Sequence, residues 1–188
     1  IFSLRQVVRI PPGETLRIIF ATGMASTREE ALRLADKYHH YHIFSREADL
    51  AWTRARVQLR HLNVSLDMAD TFQRLAARLI YSDPSLRPRS RVLALNTKPL
   101  SNLWAYGISG DHPLFLVRIS DEKDIEMVRE LLRAHEYLRL KRVQFDLVIL
   151  NEHTTSYIQS LQDELQRQIR MSGAQSLIDK PGGIFIRR

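Results

Sequence analysis

LFLVRISDEKDIEMVRELLRAHEYLRLKRVQFDLVIL, residues 114–150, carries the reading that decides the fold. Two short and almost continuous apolar runs, Leu114–Ile119 and 145–150, bracket a segment with a different period. Between them Val128, Leu131, Leu132, His135 and Leu138 recur at three- and four-residue steps, which predicts one inward face of a helix over 121–142. Its acids come early (Asp124, Glu126) and its bases late (Lys141, Arg142), as the helix dipole prefers. Runs that are apolar throughout, rather than alternating, predict strands of a parallel sheet covered on both faces.

The same alternation continues towards the C-terminus. Ile158, Leu161, Leu165 and Ile169 predict a second helix over 156–171, and Gly182-Gly183 opens a third strand at Ile184–Arg187. The order β-α-β-α-β makes residues 113–188 a small α/β module.

Upstream the periods change. RQVVRI and TLRIIFATG flank Pro11-Pro12-Gly13-Glu14, which is turn chemistry between strands, so residues 1–25 read as a hairpin. A lone hairpin is marginal in water, and this one reads as the end of a truncated β-sandwich. The chain opens on Ile1 in what looks like mid-strand, as a piece of a longer polypeptide would. Residues 26–84 read as a helical connector: Ser26 is an N-cap with Glu29 three residues on, and Ala48, Ala51, Trp52, Ala55, Leu59 and Leu62 form one apolar stripe. After a break at Asn63, the stripe Met68, Phe72, Leu75, Ala76 and Leu79 predicts a further helix, paired with the one before it. Residues 85–112, with Pro88, Pro99 and several Arg, read as a loop or linker. The fold class is therefore mixed, α+β with α/β: hairpin, connector pair and parallel-sheet module.

The absence of cysteine removes disulfides, thiolate zinc sites and a cysteine nucleophile. No apolar run approaches the ~20 residues that span a bilayer. A net charge of +7 suits an acidic partner, but the basic residues are interleaved with acids, denser only at 87–91 and 139–142. No aromatic RNP-type or helix-turn-helix pattern accompanies them, so no nucleic acid is expected.

Ligands of open parallel sheets collect at the carboxyl ends of the strands. Asp121 falls there after the first strand, and Asn151, Glu152 and His153 after the second. Asn, Glu and His can hydrogen-bond a sugar or serve as acid and base, and they equally make a polar turn and an N-cap. Trp104 and Tyr106, before the first strand, can stack on a sugar ring; the sequence favours them as buried anchors of the Gly107–His112 turn. That turn lies on the wrong side of the strand for a phosphate loop. His39, His40 and His42 sit at a helix end without a partner carboxylate, so no metal site is expected, and His135 reads as a structural histidine. No DxD, GxSxG, P-loop or paired carboxylates complete an active site, and no catalytic residue is nominated.

Longer strings go further. REEALRLADKY, DLAWTRARVQLRHLNVS, DTFQRLAARLIYSDPSLR, LWAYGISGDHPLFLVRI, LLRAHEYLRLKRVQFDLVILNE and SYIQSLQDELQ closely resemble bacterial cyclic β-1,2-glucan synthases. The resemblance runs from about Arg5 to Ile186, in a part of those proteins related to the family 94 glycoside phosphorylases (glycosyltransferase family 36). It implies a multi-pass inner-membrane parent that transfers glucose from UDP-glucose with a divalent metal, closes the glucan into a ring and trims it with phosphate. This segment would lie in a soluble, cytoplasmic part of that parent. The family's catalytic motifs do not map here, so the resemblance implies an architectural or glucan-contacting segment without a cofactor of its own. Its partners would be neighbouring domains of the same polypeptide and β-1,2-glucan. Two other readings stand beside it: a freestanding basic α/β module that binds an acidic partner through residues 87–91, and a small enzyme using Asp121, Asn151, Glu152 and His153.

Overall fold

The two apolar runs around the central helix pair with each other. In the computed structural model, which describes residues 5–81, 83–152 and 158–188, β1 (Leu114–Ile119), β2 (Asp146–Asn151) and β3 (Ile184–Arg187) form a parallel sheet in that order. Leu114 lies opposite Asp146 and Ile119 opposite Asn151, while Leu147 lies opposite Ile184. Parallel neighbours need a long crossover. The helices α5 (Ile125–Leu140) and α6 (Ile158–Met171) supply the two required.

Because side chains alternate across a strand, the register sorts them into two faces. Val117 and Ile119, Leu147 and Ile149, and Ile184 belong to the main core. Val128, Leu132 and Leu138 of α5 and Leu161, Leu165 and Ile169 of α6 are buried in the same core. Each such side chain contributes roughly 1.5–3 kcal/mol on burial, which makes this layer the source of the fold's stability.

The opposite face is treated differently. Val148 and Phe185 are buried under Ile108 and Leu103, which form a second, smaller cluster. These come from a 3-10 turn at Leu100–Tyr106 and the residues just after it. On β1, however, Leu114 and Leu116 remain 38% and 50% exposed. The expectation of a sheet covered on both faces is corrected here: the cover stops at β2.

Three helices precede this module: α1 (Arg28–Tyr38), α2 (Tyr41–His61) and α3 (Leu66–Ile80). The buried face of α3 is spent on α5, where the Phe72 ring lies 5.7 Å from that of Tyr137 and Gln73 Nε2 donates to Tyr137 Oη at 3.2 Å. Ser65 caps α3 by accepting from the Met68 N–H, and Leu59, Leu62 and Val64 pack into the same core. The segment read as a loop holds a 3-10 turn at Pro84–Leu86, a four-residue helix α4 (Ser90–Leu93) and the Leu100–Tyr106 turn.

The chain divides into two compact units, Ile1–Val57 and Gln58–Arg188. In the first, the Pro11 turn is present, with Glu14 N–H donating to the Pro11 carbonyl and Gly13 at φ +80°. No strand flanks it within residues 5–25, so the expected hairpin is corrected here: the turn forms without paired strands, since two short apolar runs make a hairpin that is marginal by itself. The N-cap of α1 is Thr27, whose hydroxyl accepts from Glu30 N–H, one residue beyond the predicted Ser26. No residue from 5 to 57 is buried.

Candidate functional site

The carboxyl ends of β1 and β2 bring Asp121, Asn151 and Glu152 to one edge of the sheet, and His153 lies outside the described residues. Each of the three is engaged locally. Asp121 heads the entry to α5 in a reciprocal cap: its carboxylate receives the Lys123 N–H, and Asp124 Oδ2 receives the N–H groups of Ser120 and Asp121 at 3.0 and 3.1 Å. The Lys123 ammonium at 3.1 Å, together with that N–H, holds the Asp121 carboxyl below the usual range. Glu152 accepts on both oxygens from Arg118 Nε, at 2.9 Å each, with Arg118 Nη2 at 2.8 Å. The Glu152 carboxylate in turn raises the Arg118 guanidinium above its ordinary value.

The third residue turns away from the other two. Asn151 is buried, in register with core-facing Ile119, and its amide lies 3.5 Å from Gln162 of α6. Arg118 and Glu152 meet on the other side, because Arg118 alternates with Val117 and Ile119. An acid and a base that serve one reaction must both reach the same substrate, each within hydrogen-bond distance of the proton it moves. These residues share an edge and face opposite sides of it. A cavity of about 500 Å³ does open beside them, lined by Lys123, Glu126, Arg129, Ser160, Glu164 and Arg167 among others, but it takes in none of Asp121, Asn151 or Glu152. Two pairs of its charges bond to each other, Arg129 to Glu126 and Arg167 to Glu164, and Arg129 also donates to Gln168 beside the cavity.

At the other end of the sheet the aromatic turn departs from its expected role. Trp104 and Tyr106 are 66% and 56% exposed, so neither ring is the anchor. Ile108 is buried and Leu103 partly buried instead, and Arg187 latches the turn: its Nε and Nη2 donate to the Tyr106 carbonyl at 2.8 and 2.5 Å. The same guanidinium pairs with Asp179 at 2.8 Å and lies over the Phe185 ring. The backbone at Gly107 favours glycine, and the space beside it is tight. The residue sits at φ +71°, and a Cβ there would meet Arg187 Nη2 at 3.3 Å. Trp104 Nε1 donates to the Ser109 carbonyl, which fixes the indole while leaving its face open.

Beside this turn lies a clamp of which the sequence singled out His135, as a structural histidine, but not Asp146. Asp146, fully buried at the start of β2, accepts from Gly182 N–H at 2.7 Å, and buried His135 Nε2 meets the Gly182 carbonyl at 3.0 Å. A carbonyl only accepts, so the imidazole carries its proton on Nε2. Burial pushes the His135 pKa down. The only available signal for Asp146 was an acid heading the otherwise apolar run DLVIL. In the first unit, an open cavity of about 650 Å³ lies against α1, lined chiefly by apolar or small side chains including Ile19, Met24, Leu34 and Tyr38.

A family model, the supersandwich domain of glycosyl hydrolase family 94, matches residues 1–41. Over 181 residues, 96% of its length, the chain is 41% identical to the cyclic β-(1,2)-glucan synthase NdvB of Rhizobium meliloti (strain 1021). It spans 6% of that relative's length. Among the described residues no helix is long and apolar enough to cross a membrane.

Proposed function

We propose that this chain is one segment of a membrane-bound cyclic β-1,2-glucan synthase and that its work there is architectural. The observation that carries the reading is the collinear 41% identity across almost all of the chain. The parent would transfer glucose from UDP-glucose, close the glucan into a ring and set ring size by phosphorolysis. UDP-glucose, a divalent metal and phosphate would bind elsewhere in that parent. The segment would carry the end of a β-sandwich, through its helices, onto a rigid three-stranded module.

A non-catalytic role is supported by the way each acid at the sheet edge is already occupied. A proton could move through Glu152 only after its bidentate bond to Arg118 is broken. The test is glucan formation from labelled UDP-glucose by membranes carrying the full-length protein. Glu152→Gln, alone or with Asp121→Asn, should leave yield and ring size within about fivefold of the parent, the range of exposed ion pairs worth under ~1 kcal/mol. A loss of turnover at normal protein levels would point to a small enzyme built on these residues.

The acidic-partner reading keeps one observation in its favour: Arg87, Arg89 and Arg91 are all exposed. It requires binding that weakens steeply with salt.

A further inference from the structure

We infer that the outer face of β1, with the Leu100–Tyr106 turn beside it, is a docking surface for another part of the same polypeptide. This rests on the reading that the chain is a segment of a larger synthase. The starting point is the composition of β1, LFLVRI, which puts apolar side chains on both of its faces, with Arg118 and its partner Glu152 at the carboxyl end of the outer one. One face is spent on the core through Val117 and Ile119. The other presents Leu114 and Leu116 to solvent, although Leu116 is in register with Val148 and Val148 with Phe185, both buried. A continuous apolar row therefore crosses three strands, and its cover ends between the second and the first.

The cover cannot simply slide across. Arg187 of β3 holds it at the Tyr106 carbonyl, and Leu100 is wedged against Gly110, where a Cβ would come within 2.5 Å of Leu100 Cδ1. What it leaves beside the gap are the exposed rings of Trp104 and Tyr106. Tyr and Trp dominate the energetics of protein interfaces because they bring large, rigid contact area.

Two observations choose the occupant. The four side chains Trp104, Tyr106, Leu114 and Leu116 are only partly exposed, and together offer less than the ~800 Å² per partner that a stable complex of free molecules buries. A tethered domain acts at an effective concentration of about millimolar and needs no such area. The relative matched at 41% identity is a chain of which this one spans 6%, so a tethered occupant is at hand. The first unit makes the same demand independently: Ile18, Phe20, Phe44 and Trp52 are all exposed, and nothing from 5 to 57 is buried.

The experiment uses the full-length protein in its membrane, with a benzophenone amino acid placed at Leu116 and, separately, at Trp104. Irradiation should give an adduct at the mass of a single polypeptide, mapping to a peptide outside residues 1–188. An adduct at dimer mass, one within residues 5–57, one to glucan, or none at either position would overturn the inference. A second variant, Leu116→Glu, should speed chymotryptic cleavage after Trp104 and Tyr106 about tenfold, the shift that follows from losing about half the burial of one Leu. Unchanged cleavage also counts against docking. Glucan synthesis in the same membranes separates the two ideas: synthesis without the adduct sinks the docking alone, and the adduct without synthesis sinks the synthase reading alone.

Discussion

Replacing Arg187 by alanine should release the Leu100–Tyr106 turn while leaving the sheet beneath it folded. The guanidinium makes two bonds to the Tyr106 carbonyl, at 2.8 and 2.5 Å, pairs with Asp179 and lies 5.2 Å from the Phe185 ring centroid. A hydrogen bond from a charged donor is worth about 1.5–3 kcal/mol. The Asp179 carboxylate is 56% exposed, so that pair adds at most about 1 kcal/mol. The two bonds share one acceptor and do not add fully, which leaves a local loss of about 2–3 kcal/mol, or roughly 30- to 150-fold in the opening equilibrium. Amide exchange reads this directly, since Gly107 N–H and Ile108 N–H donate within the turn to Trp104 and Leu103 carbonyls. Those two amides should exchange about 30- to 150-fold faster, with the α5 amides unchanged. In a Trp52→Phe background, Trp104 fluorescence should change before far-UV CD does during urea unfolding. Equal acceleration of the α5 amides would show that Arg187 supports global stability instead. No change at Gly107 or Ile108 would show that the latch contributes nothing.

Three further outcomes follow from the same packing. Leu165→Ala, at a fully buried position on α6, should cost about 2–5 kcal/mol in urea denaturation, and a loss below 1 kcal/mol would mean the helix does not seat on the sheet as described. His135 is held below its ordinary pKa by burial, so between the folded value and 6.5 the unfolded chain binds the extra proton. Stability should fall as pH drops below about 6.5 and level off under the folded pKa, and His135→Gln should flatten that slope in urea titrations at several pH values. Arg142 holds φ +63° just past α5, where Val143 N–H reaches back to the Leu138 carbonyl. Arg142→Gly should raise the urea midpoint by the equivalent of about 0.5–1 kcal/mol, and a lowered midpoint would refute strain at that position.

The helices and strands of the second unit were legible because their signals are local. Val128, Leu132, His135 and Leu138 recur at helical steps, and all four are buried on α5. The run 114–119 is apolar but for Arg118, and it is β1. The start of α1 was legible to within a residue, where Ser26 and Thr27 are adjacent hydroxyls and only geometry decides which one caps, whereas the helix read over 121–142 is shorter, Ile125–Leu140, behind a 3-10 turn. The sheet-edge candidates were half legible: Asp121, Asn151 and Glu152 do reach one edge, but the run alone could not say that Asn151 turns inward and that Arg118, 34 residues away, closes over Glu152.

In the second unit residue order and period therefore settle which segments are strands and which are helices, since each depends on neighbours within a few positions, and a helix between successive strands makes the sheet parallel. Contacts between distant residues settle the rest. Arg187 finds the Tyr106 carbonyl 81 positions away, and that bond seats the turn over β2 and β3. Gly182 is held from two sides by His135 and Asp146, which the sequence places 47 and 36 residues earlier. Where a cover lies on a sheet depends on which long-range partners hold it, and no period in the chain encodes that. So a strand with apolar side chains on both faces announces itself in six letters, while the exposure of Leu116 appears only when the chain is folded and the cover is seen to stop one strand short.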